Sequence, residues 1–210
     1  MNMSVSTLEK NVLTVMQERR STKQYDRNAE ISREELMELL EVAGQSPSAW
    51  NLQHWNFLAF HNKESQEKLL PIAYNQQQVG DASAVIAVLG DLRANENVDP
   101  VFDSAVKEGQ MPEEIKKAYT GQIQGAYANE QFGRDAAFTN ASLAAMQLML
   151  AAQAKGWDTC AIGGFNPAQL VEEFDISDRY IPVMLITVGK GTEKPRKSSR
   201  LDINQLVTFV

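Results

Sequence analysis

The chain has 210 residues, 43% of them hydrophobic, and a net charge of −7 at pH 7, a composition typical of one globular domain. One cysteine, Cys160, excludes an internal disulfide framework and a cysteine-rich zinc site, and two histidines, His54 and His61, exclude a three-histidine metal centre. The acidic balance disfavours nucleic acid and anionic lipid as partners. The lack of a signal-peptide pattern and of an apolar run of about 18 residues predicts a cytoplasmic protein.

The N-terminal half is predicted to contain alternating helices and strands. Apolar spacing predicts a helix over residues 4–18, with Ser4 or Ser6 as its cap. Ser32 and Glu35 have the spacing of a capping box, which predicts a second helix that ends before the loop at 46–54. The further predicted elements are a strand at 55–60, a short helix at 64–72 and a buried central strand at 82–90.

The C-terminal half is predicted to be mainly helical. Residues 91–112 are polar and are predicted to be irregular, and Pro112 then opens a helix that runs to about residue 128. The alanine-rich segment 134–155 is apolar on most faces, which predicts a buried central helix ended by Gly156. A helix at 166–174, a strand at 181–189 and a tail from 191 that needs a neighbour complete one α+β domain over 1–210.

Positive charge is concentrated in two short segments of this acidic chain. Residues 17–23 carry a net charge of +2 and residues 189–200 carry +4, which leaves −13 for the remainder. Because arginine and lysine match phosphate oxygens well, the segments predict a small, strongly charged anion as ligand. The alternative for each segment alone is a solvated loop. The sequence has neither a G-x-G-x-x-G turn nor a P-loop, the two common Gly-rich nucleotide motifs.

Four segments occur in an order and spacing that resembles the nitroreductase family of FMN-dependent oxidoreductases: RRSTK at 19–23, SPSAWNLQHW at 46–55, CAIGGF at 160–165 and PRKSSR at 195–200. The resemblance covers nearly the whole chain. It implies a small central mixed sheet flanked by helices, and a homodimer that exchanges its C-terminal tails (190–210) and binds FMN at the interface. It also implies NADH or NADPH as reductant and a nitroaromatic or quinone as acceptor, in a ping-pong reaction.

The resemblance further implies which residues contact the cofactor. Lys23 would stabilise the negative charge of the reduced flavin ring. The loop around Pro47 would come from the other subunit, and the Gly163–Gly164 pair would permit positive φ and bring a backbone N–H to flavin N5. The phosphate would be clamped by the tail, with Arg196 assisting. The implied FMN contacts are Arg19, Arg20, Ser21, Lys23, Pro47, Ser48, Ala49, Asn51, Gln76, Gln78, Ala161, Ile162, Gly163, Gly164, Lys197 and Arg200.

Because the flavin carries the chemistry, no side chain is predicted to be catalytic and none to bind a metal. The sequence departs from the family pattern at Ala49, where serine is usual, at His54, where proline is usual, and at Gly163, where many relatives have glutamate. His54 is interpreted as a loop residue, and Trp50 and Trp55 as packing residues. The alternatives are another flavin reaction on the same fold and an FMN-storing or regulatory module without turnover.

Overall fold

One sheet forms the centre of the computed structural model, which describes residues 12–210. Among these residues, four strands pair in the order β1-β2-β4-β3. The strands are β1 (Trp55–Phe60), β2 (Ala84–Asp91), β3 (Asp158–Ile162) and β4 (Tyr180–Gly189). The predicted α+β class is therefore confirmed.

All three pairs of neighbouring strands are antiparallel, so the expectation of a mixed sheet is wrong. The connections give the physical reason. Phe60 at the end of β1 pairs with Val85 near the start of β2, so the segment between them returns the chain to the edge it has just left. The single parallel pairing within residues 12–210 is an isolated bridge that joins Ser21 to Thr159 of β3.

Helices cover both faces of this sheet. Ile86 of β2 points into an apolar cluster with Leu39 and Leu148, whereas Val85, its neighbour, points into a second cluster with Leu69. The helices of the described residues are α1 (Val12–Glu18), α2 (Arg33–Gly44), α3 (Lys63–Ile72), α4 (Gln77–Asp81), α5 (Val98–Lys107), α6 (Glu113–Tyr127), α7 (Glu130–Ala154) and α8 (Pro167–Glu173).

The predicted caps explain where two of these helices begin. The Ser32 hydroxyl accepts a hydrogen bond from Glu35 N at 3.0 Å, and the Glu35 carboxylate accepts one from Ser32 N at 3.1 Å, so the capping box is confirmed. Helix α7 begins four residues before the predicted position, because Asn129 caps it through Gln131 N at 3.0 Å. The first part of the helix predicted at 4–18, including Ser4 and Ser6, lies outside the described residues.

Three elements were not predicted: α4, α5 and β3. The prediction that 91–112 is irregular is wrong, because α5 occupies Val98–Lys107. Pro100 does not prevent this helix, since it lies in the first turn, where a backbone N–H has no partner within the helix. Val98 and Phe102 of α5 pack on Ile123 of α6.

The long helix α7 packs closely on the sheet through small side chains. A Cβ atom at Gly90 of β2 would lie 3.0 Å from the Ala137 backbone, so glycine is needed for this approach. In the part of the chain that the structure describes, no helix has both the length and the apolar character needed to cross a membrane.

Candidate functional site

The two basic segments predicted from the sequence converge on one cleft of about 800 Å³, which we call the basic cleft (residues 19–24 and 193–200). Seven of its fourteen lining residues are lysine or arginine, and one is glutamate. The convergence takes place within one chain, while the exchange of the tail between subunits stays a prediction. The cations of the cleft are Arg19, Arg20, Lys23, Lys194, Arg196, Lys197 and Arg200.

The sheet edge holds the two sides of the cleft together. Thr22 N donates to Thr159 O of β3 at 3.0 Å, and Thr192 N donates to Gln24 O at 3.2 Å, so segment 19–25 runs between β3 and the start of the tail. Tyr25 ties segment 19–25 to β4, because its buried hydroxyl lies 2.8 Å from Thr187 Oγ1, within hydrogen-bond distance. A Cβ at Gly189 would lie 2.7 Å from the Tyr25 ring, which makes glycine necessary there.

The electrostatics of the basic cleft fit a phosphate monoester. The Arg19 Nε atom is buried and has no hydrogen-bond partner within the protein. An unpaired buried donor is unfavourable, and an anionic oxygen would remove that cost. In the tail, Arg200 NH1 donates to Ser198 Oγ at 2.8 Å, and this guanidinium stays exposed.

Segment 19–23 lies beside β3, because Ser21 pairs with Thr159 in a parallel bridge. Burial raises the pKa of the Cys160 thiol, while a hydrogen bond from Ser21 and the charges of Lys23 and Arg19 oppose that shift. Since Ala161 follows Cys160 directly, the basic cleft and the loop at 161–164 are neighbours. The predicted contacts Arg19, Ser21 and Lys23 therefore lie near Cys160, the residue before Ala161.

The glycine loop (residues 161–164) is exposed at Ala161, Gly163 and Gly164. Among the described glycines only Gly109 and Gly156 have positive φ, so the Gly163–Gly164 pair does not use the positive φ that glycine permits. A Cβ at Gly163 would meet no atom within 4 Å, and one at Gly164 only Gln76 Nε2 at 3.8 Å. The fold itself has room for side chains here, so what the two glycines provide is bare backbone open to a flat ligand.

Two glutamines that were predicted as cofactor contacts support the glycine loop. Gln76 Nε2 donates to Gly164 O at 2.6 Å and to Ala73 O at 3.0 Å. Gln78 Nε2 donates to Gln76 Oε1 at 3.1 Å. The structure thus brings Gln76, Gln78 and Gly164 together, with both N–H groups of the Gln76 amide already used within the protein.

The predicted contacts Pro47, Ser48, Ala49 and Asn51 lie outside the lining of the basic cleft. They belong to a segment that we call the strained loop (residues 46–54). Trp50, Asn51 and Gln53 have φ values of 51°, 57° and 52°, although none is glycine. Each such conformation costs about 1–3 kcal/mol and persists only where the surroundings enforce it.

One side of the strained loop borders a second cavity, which we call the aromatic groove. It has a volume of about 670 Å³ and lies between the loop and helices α5 and α6. Seven of its twelve lining residues are apolar or aromatic, and the other five are Asn51, Gln53, Ser104, Glu108 and Gln110. The apolar and aromatic lining residues are Trp50, Pro100, Val101, Phe102, Ala105, Met111 and Tyr119.

His54 is a core residue, which its interpretation as a loop residue did not anticipate. The side chain is fully buried, and neither ring nitrogen has a hydrogen-bond partner. Burial lowers the pKa of His54 to about 4, with a small opposing effect of Asp91, so the ring is neutral at pH 7. It stacks on Tyr127 with ring centroids 6.4 Å apart, and the Tyr127 hydroxyl is also buried without a partner.

A partly buried ion pair lies next to the strained loop and was also missed from the sequence. Arg179 donates to both carboxylate oxygens of Asp91, at 2.9 Å through Nε and at 2.6 Å through NH2. Asp91 N in turn donates to His54 O at 3.1 Å. The two charged residues are 88 positions apart in the chain, so no local pattern could have revealed the pair.

Comparison with known proteins gives the same family throughout. The model of the nitroreductase family matches residues 16–190. YodC of Bacillus subtilis, provisionally named an NAD(P)H nitroreductase, is 56% identical over 200 residues, which are 95% of this chain and 99% of that protein. An enone reductase of conjugated linoleic acid (CLA) biosynthesis from Lactiplantibacillus plantarum is 31% identical over 216 residues and covers 100% of both chains.

A solved structure extends this likeness to three dimensions. The crystal structure of an Exiguobacterium sibiricum protein in complex with FMN, provisionally described as a nitroreductase, has a TM-score of 0.90 and 40% identity. The match covers 96% of this chain and 98% of that chain. The chain described here belongs to the nitroreductase family, whose members are FMN-dependent oxidoreductases.

Proposed function

We propose that this protein binds FMN and uses NADH or NADPH to reduce an electron-poor acceptor, a nitroaromatic or a quinone, with the two substrates binding in turn. The observation that carries the proposal is the basic cleft beside the exposed glycine loop. That arrangement offers a phosphate site and a flat backbone surface on neighbouring segments. The relative that is 40% identical was crystallised with FMN.

The residues of the basic cleft suit the phosphate end of FMN. Lys197 and Arg200 from the tail and Arg19 from the opposite side would neutralise the dianion without a metal. When bound, FMN supplies the group that takes two electrons from the reductant and gives them to the acceptor. Lys23 would provide a positive charge for the ring, and the glycine loop would offer backbone N–H groups.

A homodimer is part of the proposal, because apolar side chains are exposed on three helices and on the tail. Met16 of α1, Met37 of α2 and Leu143 of α7 are 50%, 47% and 44% exposed, and Phe209 of the tail is 94% exposed. Helix α7 contacts both α1 and α2, so these three helices are neighbours in the fold. A second copy that covers these side chains would also bring its strained loop and tail to the cofactor of its partner.

The lining of the aromatic groove favours a planar molecule as the electron acceptor. Trp50, Phe102 and Tyr119 offer flat apolar surfaces that suit an aromatic or quinone ring. Because Trp50 belongs to the strained loop, the groove and the predicted cofactor contacts Ser48 and Ala49 share one segment of the chain.

Anaerobic reduction of the purified protein tests the proposed function. We expect a yellow protein whose visible absorbance is lost on addition of NADH or NADPH and returns when a quinone or a nitroaromatic is added. An enone is included as a third acceptor, because one relative is an enone reductase. A coloured protein that neither reductant bleaches would favour the storage module. A protein that stays colourless after incubation with excess FMN would contradict the proposal.

A further inference from the structure

The strained loop is held in place by side chains from distant parts of the fold. Bonds within the loop, such as Gln53 N to Ser48 Oγ at 2.9 Å and Leu52 N to Ala49 O at 3.1 Å, close it on itself but do not fasten it to the core. Side-chain ties to the core come from two asparagine amides, in addition to the backbone bond from Asp91 N to His54 O. Asn97 Nδ2 donates to Leu52 O at 2.8 Å, and Asn140 Oδ1 accepts from Ala49 N at 2.9 Å.

Of these two residues, Asn140 is the one that holds a predicted FMN contact, Ala49. It lies in α7 among alanine and leucine side chains, is 6% exposed, and its Nδ2 donates to Ala136 O at 2.7 Å. Both ends of its amide are therefore engaged, and the orientation of the acceptor oxygen is fixed. The Ala49 N–H that it holds belongs to a residue predicted to contact FMN, so that N–H is already occupied within the protein.

We propose that Asn140 is a positioning residue for FMN: it does not touch the cofactor but holds Ala49, and through it Pro47 and Ser48, in the conformation that the cofactor requires. The inference rests on the proposed function. The strain supports it, since the three left-handed residues that follow Ala49 would relax toward ordinary backbone conformations if this tie to the core were removed.

The test is FMN titration of the apoprotein of Asn140→Leu, which keeps the side-chain size and removes the acceptor. Gln147→Leu is the matched control, because Gln147 also lies in α7 and donates to Val42 O, a tie to α2 rather than to the strained loop. We expect the FMN dissociation constant to rise at least tenfold in Asn140→Leu and to stay within twofold in Gln147→Leu. The visible circular dichroism of the reconstituted Asn140→Leu protein should also differ from that of the parent.

The outcomes separate this inference from the proposed function. A parent protein that does not bind FMN would remove both. A parent that binds FMN, together with an Asn140→Leu variant of unchanged affinity and unchanged visible circular dichroism, would overturn only the positioning role. If Asn140→Leu does not fold, Asn140→Ser is titrated under the same criteria, since its smaller side chain leaves the helix intact and still lacks an acceptor within reach of Ala49 N.

Discussion

The basic cleft and the strained loop are both predicted to contact the cofactor, but they are built in opposite ways. In the basic cleft the cations are mostly exposed, and Arg19 Nε has no internal partner. In the strained loop, backbone groups of Ala49, Leu52 and His54 are bonded to residues of α7, the segment before α5, and β2. The cleft thus has a buried donor that an anion would satisfy, whereas these three backbone groups of the loop are bonded within the protein.

This difference predicts how the two regions respond to substitution. Exposed surface cations contribute little to folding, so changes in the basic cleft should alter affinity and leave stability nearly unchanged. Changes beneath the strained loop remove buried contacts, so they should alter stability as well.

The largest effect is expected for the double variant Lys197→Ala, Arg200→Ala. Loss of two charge-assisted hydrogen bonds at about 1.5–3 kcal/mol each should weaken FMN binding at least ~100-fold. The FMN content of the purified protein and a titration of the apoprotein measure this loss. Arg33→Ala with Lys68→Ala removes two charges outside the cleft and should retain FMN. Full FMN content in the Lys197, Arg200 double variant would contradict the assignment of the clamp.

The next effect concerns His54, the last residue of the strained loop. Its pKa is about 4 in the folded protein, against about 6.5 in the unfolded chain. The unfolded state therefore takes up a proton first as the pH falls, so this contribution to stability is complete above pH 6.5 and is lost between about pH 6.5 and 4. The loss amounts to at most about 3 kcal/mol.

His54→Phe keeps an aromatic ring against Tyr127 and removes the titrating group. We expect its free energy of unfolding, measured with urea at several pH values, to fall less than that of the parent between pH 6.5 and 4. An equal fall in both proteins would show that His54 is not the buried neutral group described here.

The smallest effect is expected at the glycine loop. A methyl group at Gly164 would meet only the far end of Gln76, so Gly164→Ala should fold normally. If a flat ring lies against this backbone, the added methyl should weaken FMN binding by about tenfold, or about 1.4 kcal/mol. Gly121→Ala, where a Cβ also has open space, is the control and should bind FMN normally. Equal affinity in Gly164→Ala would place the ring elsewhere.

Most of the helices and strands could be predicted from the sequence. Helices with a cap or a long apolar pattern, such as α2 and α7, were found because both signals are local. Strand β3 was missed because its five residues, DTCAI, have no clear alternation and lie between glycines. Helix α5 was missed because Pro100 and Gly109 suggested a break, although the proline lies in the first turn.

The site was predicted unevenly for a similar reason. The basic cleft could be found because its charges are clustered in two short segments. Asn140 could not be found, because it bonds to Ala49, about 90 positions away in the chain. The pair of Asp91 and Arg179 was missed for the same reason, since its members are 88 positions apart. The only local sign of Asn140 was an amide within an apolar helix. The strain at Trp50 left no sign, since its conformation is imposed by the core.

The central claim is that the basic cleft recognises the phosphate of FMN, and comparison of FMN with riboflavin, which lacks that phosphate, tests it most directly. Titration of the apoprotein with each compound at low and high salt measures both affinities. We expect FMN to bind at least ~100-fold more tightly at low salt, with the advantage falling as salt screens the cleft. Equal affinity for the two compounds would contradict the account.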